Sequence, residues 1–194
     1  MTVPRSHGTL VHPEEGVDLR RDTKASEYTD ARAHALRERY VELFGGDEIP
    51  VPVDRIAEDY LGLTVEASAL DGLSGVLYPA ERRIGVNAAE PEARRRFTLA
   101  HELGHWICQC VGRTPAPLYC RADEVTADPT GKALEREANI FAAELLMPEL
   151  SVRAAFARAD DRNELARAFG VSAPAMHWRL YSFGLLSEGP DKSA

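Results

Sequence analysis

Arg96-Phe97-Thr98-Leu99-Ala100-His101-Glu102-Leu103-Gly104-His105 is the stretch on which the fold and chemistry of this chain turn. Two histidines four residues apart lie about 40° apart around a helix of 3.6 residues per turn, so both imidazoles can reach one ion. Glu102 lies roughly 60° to 100° from each of them, beside a bound metal rather than on it. A base that takes a proton from water at the metal must stand there.

The residues around the motif suit a buried helix. Pro91 fits a first helical turn, and Phe97, Leu99, Ala100, Leu103, Trp106 and Ile107 supply an apolar surface, so a helix is expected from about Pro91 to Cys110. Gly104 costs about 1 kcal/mol relative to alanine in a helix and leaves room for another segment to approach.

A third ligand is expected from the stretch Glu135 to Pro148, a second helix stopped by the proline. Glu135 and Glu137 compete for that role and point roughly 160° apart on a regular helix, so only one can face the metal. Glu135 shares a stripe with Ala138, small enough to let two helices close, and with Asn139, placed to hydrogen-bond a ligand histidine. Glu137 is expected to face solvent or an arginine.

RFTLAHELGH (Arg96 to His105) followed by EREANIFAAELLMP (Glu135 to Pro148) resembles the ImmA/IrrE family of zinc metallo-endopeptidases. The similarity extends over roughly residues 28–186, from Val51–Val65 upstream to Phe169-Gly170-Val171-Ser172, Arg179-Leu180 and Gly184-Leu185 downstream. The resemblance implies Zn2+ held by His101, His105 and Glu135, a gluzincin-like arrangement, with Glu102 as catalytic base. At Asn139, where members often carry Asn or Asp, a neutral amide raises histidine basicity less than a carboxylate would. The implied substrates are helix-turn-helix transcriptional repressors, whose cleavage relieves repression in stress responses, mobile elements or toxin-antitoxin modules.

Composition narrows the partners. Lys and Arg number 23 against 31 Asp and Glu, a net charge of -8, which makes the chain a poor general binder of nucleic acid. No segment approaches the roughly 20 apolar residues of a membrane span. Met1 to Gly16 lacks the apolar run of a signal peptide, so a cytoplasmic location is expected. Cys108, Cys110 and Cys120 are too few and odd in number for a disulfide framework. Cys108, three residues after His105, is either a spare ligand, a redox switch or a small buried hydrophobe, and burial is favoured.

The expected fold class is α+β: a mostly helical zincin-like core with a small β-sheet and a C-terminal helix-turn-helix-like region. A flexible leader is expected over 1–27, the core over 28–150, a packed C-terminal helical region over 151–186 and a flexible tail over 187–194. Ala33, Leu36, Tyr40 and Leu43 space a first helix ending at Gly45-Gly46, and Val53, Ile56, Ala57, Tyr60 and Leu61 a second ending at Gly62. Leu63, Val65 and Ala67 alternate as a strand. Ser74 to Tyr78 and Arg83 to Asn87 follow as two more, joined by a turn at Pro79-Ala80-Glu81. Ser74 to Tyr78 is the candidate edge for pairing with an extended peptide. Val111 to Lys132 is too long for a simple connector and suits a lid or an excursion. Tyr78, Tyr119, His177 and Tyr181 have the chemistry to donate to an oxyanion.

The rival function is a DNA-binding or protein-binding regulator with a silent metal site. Residues 163–172 followed by 175–183 have the outline of a helix-turn-helix. Between Asp160 and Ala194, however, Arg162, Arg167, Arg179 and Lys192 meet Asp160, Asp161, Glu164, Glu188 and Asp191, which leaves no positive excess for phosphates. A packing or substrate-docking role is favoured.

Overall fold

The computed structural model describes residues 24–46, 49–110, 129–158 and 161–189. Helix α1 (Lys24–Phe44) buries Ala33, Leu36 and Tyr40 and gives way at Gly45. Residues 24–27, expected to close a polar leader, already belong to this helix, so the boundary at 28 falls inside α1. Polarity alone does not separate a helical turn from coil, and Lys, Ala and Glu all favour helix. The short α2 (Val53–Arg55) runs on as a π-helical turn (Ile56–Tyr60), with Val53, Ile56 and Ala57 buried.

Three strands follow: β1 (Thr64–Ser68), β2 (Gly75–Tyr78) and β3 (Arg83–Asn87). Their order is β1-β3-β2, with β1 parallel and β2 antiparallel to β3. Between β2 and β3 the expected turn at Pro79–Glu81 is one 3-10 turn, reversed at Arg82 with a left-handed φ of 51°. Among the described residues β2 is an edge strand, and Ser74 to Tyr78 is therefore paired on one side only.

Pro91 precedes α3 (Glu92–His105), which continues as a second π-helical turn (Trp106–Cys110). Helix α4 (Pro129–Leu146) lies against it. The expected excursion from Val111 to Lys132 is thus shorter than its composition suggests: 129–132 are helical, and 111–128 lie outside the described residues. α3 sits between the sheet and α4, while α1 covers α4 from another side. Leu77, Ile84, Leu103, Phe141, Leu145 and Leu146 are buried at this junction. Each contributes about 1.5–3 kcal/mol by leaving water.

Gly104 sets the distance between α3 and α4. A Cβ there would stand 2.9 Å from Ala138 Cα, 3.0 Å from Ala138 O and 3.1 Å from Phe141 Cβ. Two of those atoms are backbone and cannot rotate away. Gly104→Ala is therefore expected to lower unfolding free energy by about 1–3 kcal/mol through overpacking, despite its better helix propensity. A denaturant midpoint at or above the wild-type value would contradict this contact.

Pro148 ends α4 and leads into α5 (Glu149–Phe156), followed by α6 (Arg162–Phe169) and α7 (Ala173–Ser182). Asp161 caps α6 by accepting from Asn163 N at 2.9 Å, and Ser172 caps α7 by accepting from Ala175 N at 3.2 Å. Arg96 of α3 donates to Val51 O at 2.7 Å and to Gly170 O at 3.2 Å, which ties the α6–α7 turn to the motif helix. Arg179 on α7 is buried, donates to Met147 O at 3.0 Å and pairs with Glu144 at the end of α4. Residues 187–189 fold back on α7, where His177 meets the Glu188 carbonyl. Among the described residues no helix is long and apolar enough to cross a membrane.

Candidate metal centre

α3 and α4 bring His101, His105 and Glu135 together. Their donor atoms all lie within 4.8 Å of one another. His101 Nε2 and His105 Nε2 stand 3.0 Å apart, and the Glu135 carboxylate approaches them at 3.2 Å and 3.3 Å respectively. Ligands about 2.0–2.2 Å from a tetrahedral ion lie about 3.3 Å from each other, so these residues fit a metal without rearrangement. Burial opposes the ionised form of Glu135, but hydrogen bonding and charge from His101 and His105 outweigh it and hold its carboxyl well below the usual range.

Both histidines are oriented from behind by amides. Asn139 Oδ1 lies 3.0 Å from His101 Nδ1, as its place on the Glu135 stripe implies. Gln109 Oε1 lies 2.9 Å from His105 Nδ1, while Gln109 Nε2 donates to Leu134 O at 3.2 Å. With Nδ1 turned to an amide oxygen, it is Nε2 of each ring that faces the shared centre, toward the Glu135 carboxylate here and as the lone-pair donor to a bound metal. Gln109 escaped the sequence reading although its spacing, four residues after His105, was visible.

The π-helical turn explains the position of Cys108. Such a turn advances roughly 80° per residue instead of 100°, which keeps Gln109 within about 35° of His105 but swings Cys108 to roughly 115° away. Cys108 is accordingly buried outside the donor cluster. Burial and the nearby Glu137 charge push its thiol up, against the opposing effect of Arg32. Glu137 itself is half-buried and accepts from Thr29 of α1 at 3.5 Å.

Glu102 lies beside the ligands and outside their set. It is only 4% exposed, and its Oε2 has no hydrogen-bond partner among the described residues. Burial pushes its carboxyl up from the ordinary range, opposed by the charges of His105 and His101 and reinforced by that of Glu135. The first residue of β2 packs over it: a Cβ on Gly75 would fall 2.3 Å from Thr98 Cγ2 and 3.1 Å from Glu102 Oε1. No residue with a side chain could hold this strand so close.

The expected oxyanion donors are dispersed. Tyr78 is on β2, about 10 Å along the strand from Gly75, with its ring 4.0 Å from the Arg83 guanidinium carbon. His177 Nε2 contacts Glu188 O at 3.1 Å, and Tyr181 meets Trp178 edge-on. None of these contacts is with the metal cluster. Tyr119 lies outside the described residues.

Fold and donor set together define a metallopeptidase-like domain. The model of the peptidase M78 family, described as the IrrE N-terminal-like domain, matches residues 58–181, and the chain belongs to that family. Its architecture is the α+β, zincin-like one expected of such a member. A solved structure, a Mycobacterium tuberculosis transcriptional regulator, is similar over 82% of this chain and 52% of its own, with 18% identity and a TM-score of 0.53. At that identity the likeness concerns the fold, and the chain spans about half the length of that regulator. No curated protein matches the chain significantly.

Proposed function

We propose that the protein is a zinc-dependent endopeptidase acting in the cytoplasm on a helix-turn-helix transcriptional repressor, so that cleavage relieves repression. The observation that carries the peptidase reading is the buried Glu102 carboxylate, without a hydrogen-bond partner for Oε2, beside the converging His101, His105 and Glu135. A purely structural metal site has no chemical need for such a group.

His101, His105 and Glu135 would hold the zinc, which would supply Lewis acidity toward a peptide carbonyl and a water. Glu102 takes the proton from the attacking water and returns it to the departing amine. Its raised carboxyl and dry surroundings suit that exchange. Asn139 and Gln109 keep the two imidazoles turned toward the centre.

Strand β2 supports an extended substrate. Asn87 N donates to Ser74 O at 2.8 Å, so in this register Ser74, Val76 and Tyr78 bond to β3. The backbone groups of Gly75 and Leu77 consequently point to the open edge. A peptide pairing there runs past Gly75, directly over Glu102, with little demand on side-chain identity. The helix-turn-helix substrate class itself rests on family membership.

The test is incubation of purified zinc-loaded protein with a candidate repressor, read by mass spectrometry of the fragments. A defined new terminus in the repressor is the expected result. Cleavage of unfolded peptides with every repressor left intact would preserve the peptidase and overturn its substrate. Direct DNA binding is not expected, because Arg179 is paired with Glu144 and the remaining charges of residues 160–194 leave a negative excess, Arg162, Arg167 and Lys192 against Asp160, Asp161, Glu164, Glu188 and Asp191. A low-salt gel shift with random DNA should show no retardation, and retardation there would revive the regulator alternative.

A further inference from the structure

Gln109 is almost wholly buried, 3% exposed, in the π-helical turn that follows the motif helix. A buried primary amide must satisfy both ends, and this one does so on two different elements. Its oxygen meets His105 Nδ1, and its nitrogen grips the carbonyl of Leu134, the residue before the third ligand. Arg32 of α1 braces the same turn by donating to Ile107 O at 3.2 Å.

We propose that Gln109 is a positioning residue for the metal centre: it holds His105 in the Nδ1–H form and sets the start of the Glu135 turn relative to that ring. The inference rests on the metal reading above and extends it. Asn139 reaches from α4 back to His101, and Gln109 reaches from the end of the α3 segment forward to α4. The two amides cross between the helices in opposite directions, so each ligand histidine is locked to the element that carries Glu135.

The test uses the full chain with Gln109→Met, which keeps the volume and removes both polar atoms, and Gln109→Asn, one methylene too short for the 2.9 Å contact. Zinc affinity, measured by competition with a chromophoric chelator, is expected to fall about 10–100-fold in either variant, the ordinary cost of losing a partner behind a ligand histidine. A readout independent of zinc accompanies it. In metal-free protein at pH 8, 15N NMR of the imidazoles should show His105 protonated at Nδ1 in the wild type and losing that preference in the variants. Wild-type zinc affinity in a folded variant, or an unchanged His105 tautomer, overturns the proposal. If Gln109→Met fails to fold, Gln109→Asn decides on the same two measurements. A wild-type chain that binds no zinc overturns the metal reading and this proposal together, whereas tight wild-type binding matched by both variants removes only Gln109.

Discussion

Glu102→Gln is expected to reduce peptide cleavage by about 10²–10⁴-fold, the usual contribution of a general base, while zinc remains bound. Glutamine keeps the shape that fits between Thr98 and Gly75 but cannot accept a proton from water. The ligand atoms come from His101, His105 and Glu135, so metal content is expected to stay at the wild-type level. Folding stability supplies a second sign. A carboxyl whose folded pKa is raised binds its proton more tightly in the native state, so metal-free wild type loses stability as pH rises from the ordinary carboxylate range through the folded value. Glu102→Gln lacks that loss, and its metal-free melting temperature should not fall below wild type at neutral pH. Cleavage at the wild-type rate by this variant would remove Glu102 from the mechanism.

Glu135→Ala is expected to lower zinc affinity by more than the roughly 10–100-fold cost of an outer partner and to abolish cleavage with it. Its partner control is Glu137→Ala. Glu137 lies on the α1 side of α4 beside Thr29, so its removal should leave zinc affinity within a few-fold of wild type. Equilibrium dialysis of the two variants with zinc separates the neighbours directly, and the reverse pattern would mean that the wrong carboxylate had been assigned. His101 and His105 hold the Glu135 carboxyl well below its usual range, as a ligand requires.

Much of the fold could be read in the chain because period and punctuation agreed. Ala33, Leu36 and Tyr40 kept helical spacing before Gly45. The strands Gly75–Tyr78 and Arg83–Asn87 were bounded by the Pro79–Glu81 turn. Gly104 and Ala138 signalled a close helix pair, and the structure places them in contact. What went unread depends on departures from regular geometry. A π-helical turn leaves no composition signature, yet it turns Cys108 away from the centre. Helix α4 also begins before its apolar pattern does, at Pro129.

Spacing by itself determined the two-histidine chelate with its neighbouring carboxylate, because i and i+4 residues share a helical face wherever that helix lies. It also determined that Glu135 and Asn139 would point the same way. Only the tertiary structure decided that those two faces meet, that Gln109 ties the end of the motif helix to the Leu134 carbonyl, and that Gly75 of an edge strand lies over Glu102. These are contacts between segments separated in sequence, and they depend on how closely α3, α4 and β2 approach. Local periodicity sets the direction in which a side chain leaves its helix, whereas the distance to a partner on another element is set by packing.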